Sequence, residues 1–83
     1  MDNILTIGQL RGIIRLTIEG NSPMVKQWLE NRPGSWGFTA GKAVLACRRR
    51  VGRRLTDLER RTVWHELWNT LSELKRALSI GND

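Results

Sequence analysis

The last third of the chain constrains the fold most strongly, because it carries an apolar stripe with helical periodicity. The stripe recurs every three or four residues over about four turns and consists of Trp64, Leu67, Trp68, Leu71, Leu74 and Leu78. Thr56 and Glu59 precede it with the spacing of a capping box, in which each side chain bonds the backbone N–H of the other residue. This pattern predicts a long amphipathic helix over 57–79, with the leucines and tryptophans of the stripe packed in the core.

The N-terminal segment carries a similar signal. Thr6 and Gln9 repeat the capping-box spacing, and the apolar residues that follow them recur with a helical period. The run Ile13–Ile18 is rich in β-branched residues and is also compatible with a strand. The 3.6-residue spacing favours a helix over 7–19.

The middle of the chain predicts two more helices separated by a loop. Ser22 suits a helix N-cap, and the proline that follows it suits the first helical position. The pair predicts a helix over 23–30. Thr39 can cap another helix over 40–51, which Gly52 ends. Residues 1–83 are therefore expected to form a single all-α domain, a compact bundle of about four helices in which the C-terminal helix is longest.

The single cysteine, Cys47, excludes a disulfide within the chain and favours a reducing compartment. The first twenty residues lack the unbroken apolar run of a secretory signal. No apolar stretch approaches the ~20 residues that a membrane span requires. We therefore expect a cytoplasmic protein.

The net charge of +6 is concentrated in one segment. The window 41–61 holds two acidic residues and eight basic ones, namely Lys42, Arg48, Arg49, Arg50, Arg53, Arg54, Arg60 and Arg61. The rest of the chain contains equal numbers of acidic and basic residues and is neutral. A local excess of this kind indicates an anionic partner more strongly than a uniformly basic surface does.

Two kinds of partner fit this segment about equally well. In a nucleic-acid complex, phosphates would be contacted by Arg48, Arg49, Arg50, Arg53 and Arg54, assisted by Lys42, because guanidinium groups pair bidentately with phosphate oxygens. If the third helix reached Arg53, then Lys42, Arg49 and Arg53 would share one face of it. In the alternative, the same residues dock the chain as an adaptor on an acidic protein surface. A third interpretation is a solvated face, since cations are favourable at helix C-termini. A homodimer through the last helix is compatible with both binding functions.

Two aromatic side chains, Trp36 and Phe38, fall in the predicted loop over 31–38. They can cover the open end of the bundle or serve as partly exposed anchors for a partner or for bases.

The sequence offers little for catalysis. The single histidine, His65, maps to the polar face of the last helix, and Cys47 maps to the inward face of the third. No spacing typical of a metal site and no phosphate-binding glycine loop is present. We therefore predict a non-enzymatic protein without a cofactor or a metal.

Overall fold

The structure is a computed structural model that describes residues 5–80, with side chains as far as Leu78. These residues form four helices and no strand: α1 (Ile7–Gly20), α2 (Ser22–Leu29), α3 (Ser35–Val51) and α4 (Asp57–Ile80). The longest is α4, with 24 residues. The predicted all-α bundle of four helices is therefore confirmed, and the segment that was also compatible with a strand is helical.

Both predicted capping boxes are present at the helix starts. At α1, the Thr6 hydroxyl accepts from the N–H of Gln9, and the Gln9 side chain accepts from the N–H of Thr6, each at 3.2 Å. At α4, the Glu59 carboxylate accepts from the N–H of Thr56 at 2.8 Å, and the Thr56 hydroxyl accepts from the N–H of Glu59 at 3.1 Å. These bonds satisfy backbone donors that have no partner within the helix.

The prediction that α3 begins at position 40 was wrong, because the helix starts one and a half turns earlier. Gly34 adopts a left-handed conformation with φ 87° immediately before Ser35, so the chain turns there. Thr39 is not a cap. It is buried within the helix, and its hydroxyl donates to the Ser35 carbonyl at 2.9 Å. Trp36 and Phe38 therefore lie in the first turn of α3 instead of in a loop.

The boundary between α1 and α2 also differs by one residue from the prediction. Ser22 is the first residue of α2, and Asn21 precedes it. The Asn21 amide donates to the Thr17 carbonyl at 2.8 Å, and the Ser22 hydroxyl donates to the Glu19 carbonyl at 3.0 Å. Both polar side chains thus bond the last turn of α1, and neither caps α2.

The core forms around α3, which packs against each of the other three helices. Its apolar members come from all four helices and are Leu10, Ile14, Val25, Ala40, Ala43, Cys47, Val63, Leu67 and Leu71. The predicted inward position of Cys47 is confirmed. The small alanines of α3 allow its neighbours to approach closely, which suits a short chain with a thin core.

The predicted core face of α4 needs a correction. Val63, Leu67 and Leu71 are fully buried. Three side chains of the predicted core stripe lie at the surface instead, namely Trp64 (43% exposed), Trp68 (50%) and Leu78 (53%). The apolar residues of α4 cover a wider arc than the face that α1 and α3 contact. Val63 takes the buried position, and the two indoles lie beside the core at the surface.

Candidate nucleic-acid interface

The basic segment surrounds the turn between α3 and α4. Arg48, Arg49 and Arg50 form the last turn of α3 and are all exposed. Gly52 then takes a left-handed conformation with φ 74°, and its N–H donates to the Arg48 carbonyl at 2.9 Å. This confirms Gly52 as the end of the helix. The three cations are favourable beside the negative end of the helix dipole, so stabilisation of the helix partly explains why arginines stand at these positions.

Arg53 is engaged in an ion pair with Glu59 in the first turn of α4. Its two terminal nitrogens each donate to one carboxylate oxygen at 2.8 Å, which is the bidentate geometry of a guanidinium on a carboxylate. Since α3 ends at Val51, Arg53 does not share a helix face with Lys42 and Arg49. Arg53 therefore joins the turn to α4, and its planar donors face a protein carboxylate.

The same contacts lower the pKa of Glu59 to about 2. The hydrogen bond from Arg53 is the largest cause, followed by the hydrogen bond from the Thr56 backbone N–H. The pKa of Arg53 is raised in turn, chiefly by its hydrogen bond to Glu59. These bonds favour the charged forms of both groups, so the turn is held together most firmly near neutral pH.

The lowered pKa predicts how the stability of the fold depends on pH. Glu59 contributes fully above its ordinary pKa of 4.5 and loses its contribution as the pH falls toward about 2. We expect Glu59→Gln, which can still form the capping box, to lower the melting temperature at pH 7, and this deficit to shrink steadily below pH 4.5. Melting curves of both proteins from pH 7 to pH 2 measure it. The exposed Glu73→Gln is the control, and an equal, pH-independent deficit in both variants would contradict the prediction.

Two other arginines of the predicted site, Arg48 and Arg54, lie together. With Arg60 of α4 they line an open depression of about 340 Å³, which we call the arginine depression; its apolar lining is Val44 and Leu55. Arg60 also forms an ion pair with Asp57, one turn earlier in α4. The sequence places Arg60 in the basic window, but only the packing of α4 against α3 brings it beside Arg48.

The remaining predicted residues lie elsewhere on α3. Lys42 and Arg49 line a different depression between α1 and α3. The Lys42 ammonium lies 5.3 Å from the centre of the exposed Phe38 ring, in cation–π contact. At 100° per residue, this face is about 100° away from Arg48 around the helix axis. The predicted residues are thus divided between two faces, with Arg50 exposed at the end of the helix.

Trp36 belongs to an aromatic cluster that the sequence did not predict. Trp68 lies at the centre of the cluster, in edge-to-face contact with Trp28 at 5.5 Å and with Trp36 at 5.3 Å between ring centres. Such pairs add stability beyond the area they bury. The spacing of Arg60, Trp64 and Trp68, each four residues apart, is the sequence signal that places these side chains along one line of α4.

The residues considered for catalysis are separated by burial. Cys47 is 0% exposed, and burial raises the pKa of its thiol to about 11, whereas His65 is exposed. A thiol that stays protonated in an apolar core is a poor nucleophile.

Within residues 5–80, no three histidine, cysteine or acidic side chains come together in a way that would hold a metal ion. Among the helices of that same range, none has the length and apolar composition needed to cross a membrane.

Comparison with known proteins found no similarity. No protein-family model matches the chain, and no curated protein and no solved structure matches it.

Proposed function

We propose that this chain is a small non-enzymatic protein that binds nucleic acid through the arginines at the end of α3 and in the following turn. The observation that carries the proposal is the arginine depression, where Arg48, Arg54 and Arg60 surround one open space. Arg48 and Arg54 are exposed there, in an arrangement suited to phosphate oxygens, whereas the guanidinium of Arg60 also pairs with Asp57. The concentration of the entire net charge in the surrounding segment supports the same conclusion.

The other cations of the segment would extend this contact. Arg49 and Arg50 are exposed in the last turn of α3, next to Arg48. Arg53 would act indirectly, because its bond to Glu59 holds the turn that carries Arg54. Contacts to phosphate provide affinity and salt dependence, but they do not distinguish one base from another.

A second candidate function is docking on an acidic protein. It is favoured by the face between α1 and α3, where Lys42 and Arg49 line a depression together with the exposed Leu16 and Leu45. Exposed leucines flanked by cations suit an amphipathic acidic helix. This face lies apart from the arginine depression, so variants on the two faces separate the two functions.

The test of the proposed function is the salt dependence of binding to a labelled oligonucleotide, followed by fluorescence anisotropy. The logarithm of the affinity should fall with the logarithm of salt, with a slope of about −0.7 to −0.9 per phosphate neutralised. Replacing Arg48 and Arg54 together by alanine should weaken binding to all sequences and make the slope shallower by up to about two such units. Melting temperatures should change little, because exposed charges contribute little to folding.

The matched control carries Arg15→Ala and Arg76→Ala, which remove the same charge from exposed positions outside the segment. If it weakened binding as much as the first double variant did, only the overall charge would matter. Absence of binding at low salt, or equal binding of polyglutamate, would contradict the proposed function. Loss of an acidic protein partner in Lys42→Ala/Arg49→Ala alone would favour the second candidate.

A further inference from the structure

An open groove between α3 and α4 adjoins the arginine depression. We call it the tryptophan groove. It measures about 360 Å³ and is lined by Trp36, Gly37, Ala40, Gly41, Val44, Arg60 and Trp64. A Cβ atom added to Gly37 or Gly41 would have no neighbouring atom within 4 Å, so both glycines leave the groove open. Its volume lies within the range of ~300–1,000 Å³ that is typical of ligand sites.

The two sites form one continuous surface. Val44 and Arg60 line both the tryptophan groove and the arginine depression. On α3, the lining runs from Trp36 to Arg48, a span of twelve residues or ~18 Å along the helix axis. A ligand lying along this line would meet exposed indole first and guanidinium next.

The opposite end of the groove is also basic. Trp36 and Trp68 line a further depression together with Arg32 and Lys75. The Lys75 ammonium lies 5.4 Å from the centre of the Trp28 ring and donates to the Asn31 side chain at 2.8 Å. Indoles at the surface are thus flanked by basic side chains on both sides, of which Arg32 also pairs with Glu30 at 3.5 Å.

From this juxtaposition we infer that the tryptophan groove receives unpaired bases of a single-stranded nucleic acid, whose phosphates the flanking cations hold. The inference rests on the proposed function and specifies the form of its ligand. Alternation of aromatic and basic side chains along a groove is how proteins bind single strands, because each base offers a face for stacking. In a duplex these faces are already stacked on neighbouring bases, so Trp64 would have no base to contact. The groove therefore selects against duplex.

Charge argues against a second copy of this chain as the occupant. In a two-fold dimer the same patch meets itself. Such an interface would bring Arg48 and Arg54 of one subunit toward the same arginines of the other, and like charges in close contact are unfavourable. A polyanion with flat apolar groups complements both parts of the surface.

The experiment compares three labelled ligands of equal length at about 50 mM salt: oligothymidine, an abasic strand with the same phosphates, and a duplex. We expect oligothymidine to bind most tightly. Trp64→Ala should weaken oligothymidine binding roughly 5- to 150-fold, as expected for the loss of one stacked base, and should leave the abasic strand unaffected. Trp64→Phe should retain most of the affinity, because phenylalanine also stacks.

A second variant tests the groove without removing an aromatic group. Gly41→Gln should fill the groove and weaken oligothymidine binding by a similar factor, while the helix tolerates glutamine well. Gly12→Gln is the matched control, since Gly12 is also helical and open to solvent in α1. Thermal melting of each variant by circular dichroism shows that it is folded, so that a loss of binding is assigned to the groove.

The outcomes separate the two proposals. All three ligands could bind with equal, salt-dependent affinity that Arg48→Ala/Arg54→Ala weakens and Trp64→Ala does not. This result would support the proposed function and overturn this inference. Binding of none of them would overturn both. Light scattering shows whether the protein is a dimer and whether Trp64→Ala dissociates it. If it does, and oligothymidine and the abasic strand bind with equal affinity, the groove is occupied by a second copy and the inference is overturned.

Discussion

Leu71→Ala is expected to lower the free energy of unfolding by about 2–5 kcal/mol, the usual cost of removing a buried leucine side chain. Leu71 is 0% exposed and belongs to the core that α4 shares with the other helices. A chain of this length has a total stability on the order of 4–12 kcal/mol. The substitution should therefore remove a large part of the stability, because a domain this small has little stability in reserve.

Urea unfolding followed by circular dichroism measures this effect. The control is Leu58→Ala on the same helix, where the side chain is 74% exposed and truncation should change stability by less than about 0.5 kcal/mol. Equal midpoints for the two variants would mean that Leu71 is not buried in the folded protein.

Cys47 should be protected from thiol reagents by a factor of at least about 10³ relative to the unfolded chain. Its side chain is completely buried, and the pKa of its thiol is raised to about 11 by loss of hydration. A reagent reaches the sulfur only when the structure opens, and a thiol in the centre of the core is exposed only by extensive unfolding. The rate of labelling therefore reports the population of the unfolded state.

The two predictions are coupled through this unfolding equilibrium. If Leu71→Ala costs about 2–5 kcal/mol, it should accelerate the labelling of Cys47 roughly 30- to 5,000-fold, with the labelling rate of the unfolded chain as the upper limit. Labelling with an aromatic disulfide at pH 8, with and without urea, provides the rates. Rapid labelling of the native protein would contradict the buried position of Cys47, and acceleration by Leu58→Ala would show that the probe responds to something other than the core.

The helix boundaries that were predicted correctly depend on neighbouring residues. Thr6 with Gln9 and Thr56 with Glu59 form bonds between residues three positions apart, so the spacing alone indicates them. Gly52 marks the end of α3 for a similar reason, because a left-handed turn favours glycine. The start of α3 was missed because Gly34 provides the turn and Gly37 is accommodated inside the helix.

The sequence by itself thus determined the number of helices, their order and the segment that carries the charge. Only the tertiary structure decided which residues of that segment are available to a partner. The sequence does not distinguish Arg53 from its neighbour Arg54. In the structure, the turn at Gly52 brings Arg53 against Glu59, six residues further along the chain. Likewise, Trp64 and Val63 are adjacent, and burial depends on which side of α4 the other helices cover. Periodicity specifies an apolar arc, whereas packing between helices selects the part of it that becomes core and leaves the rest as surface.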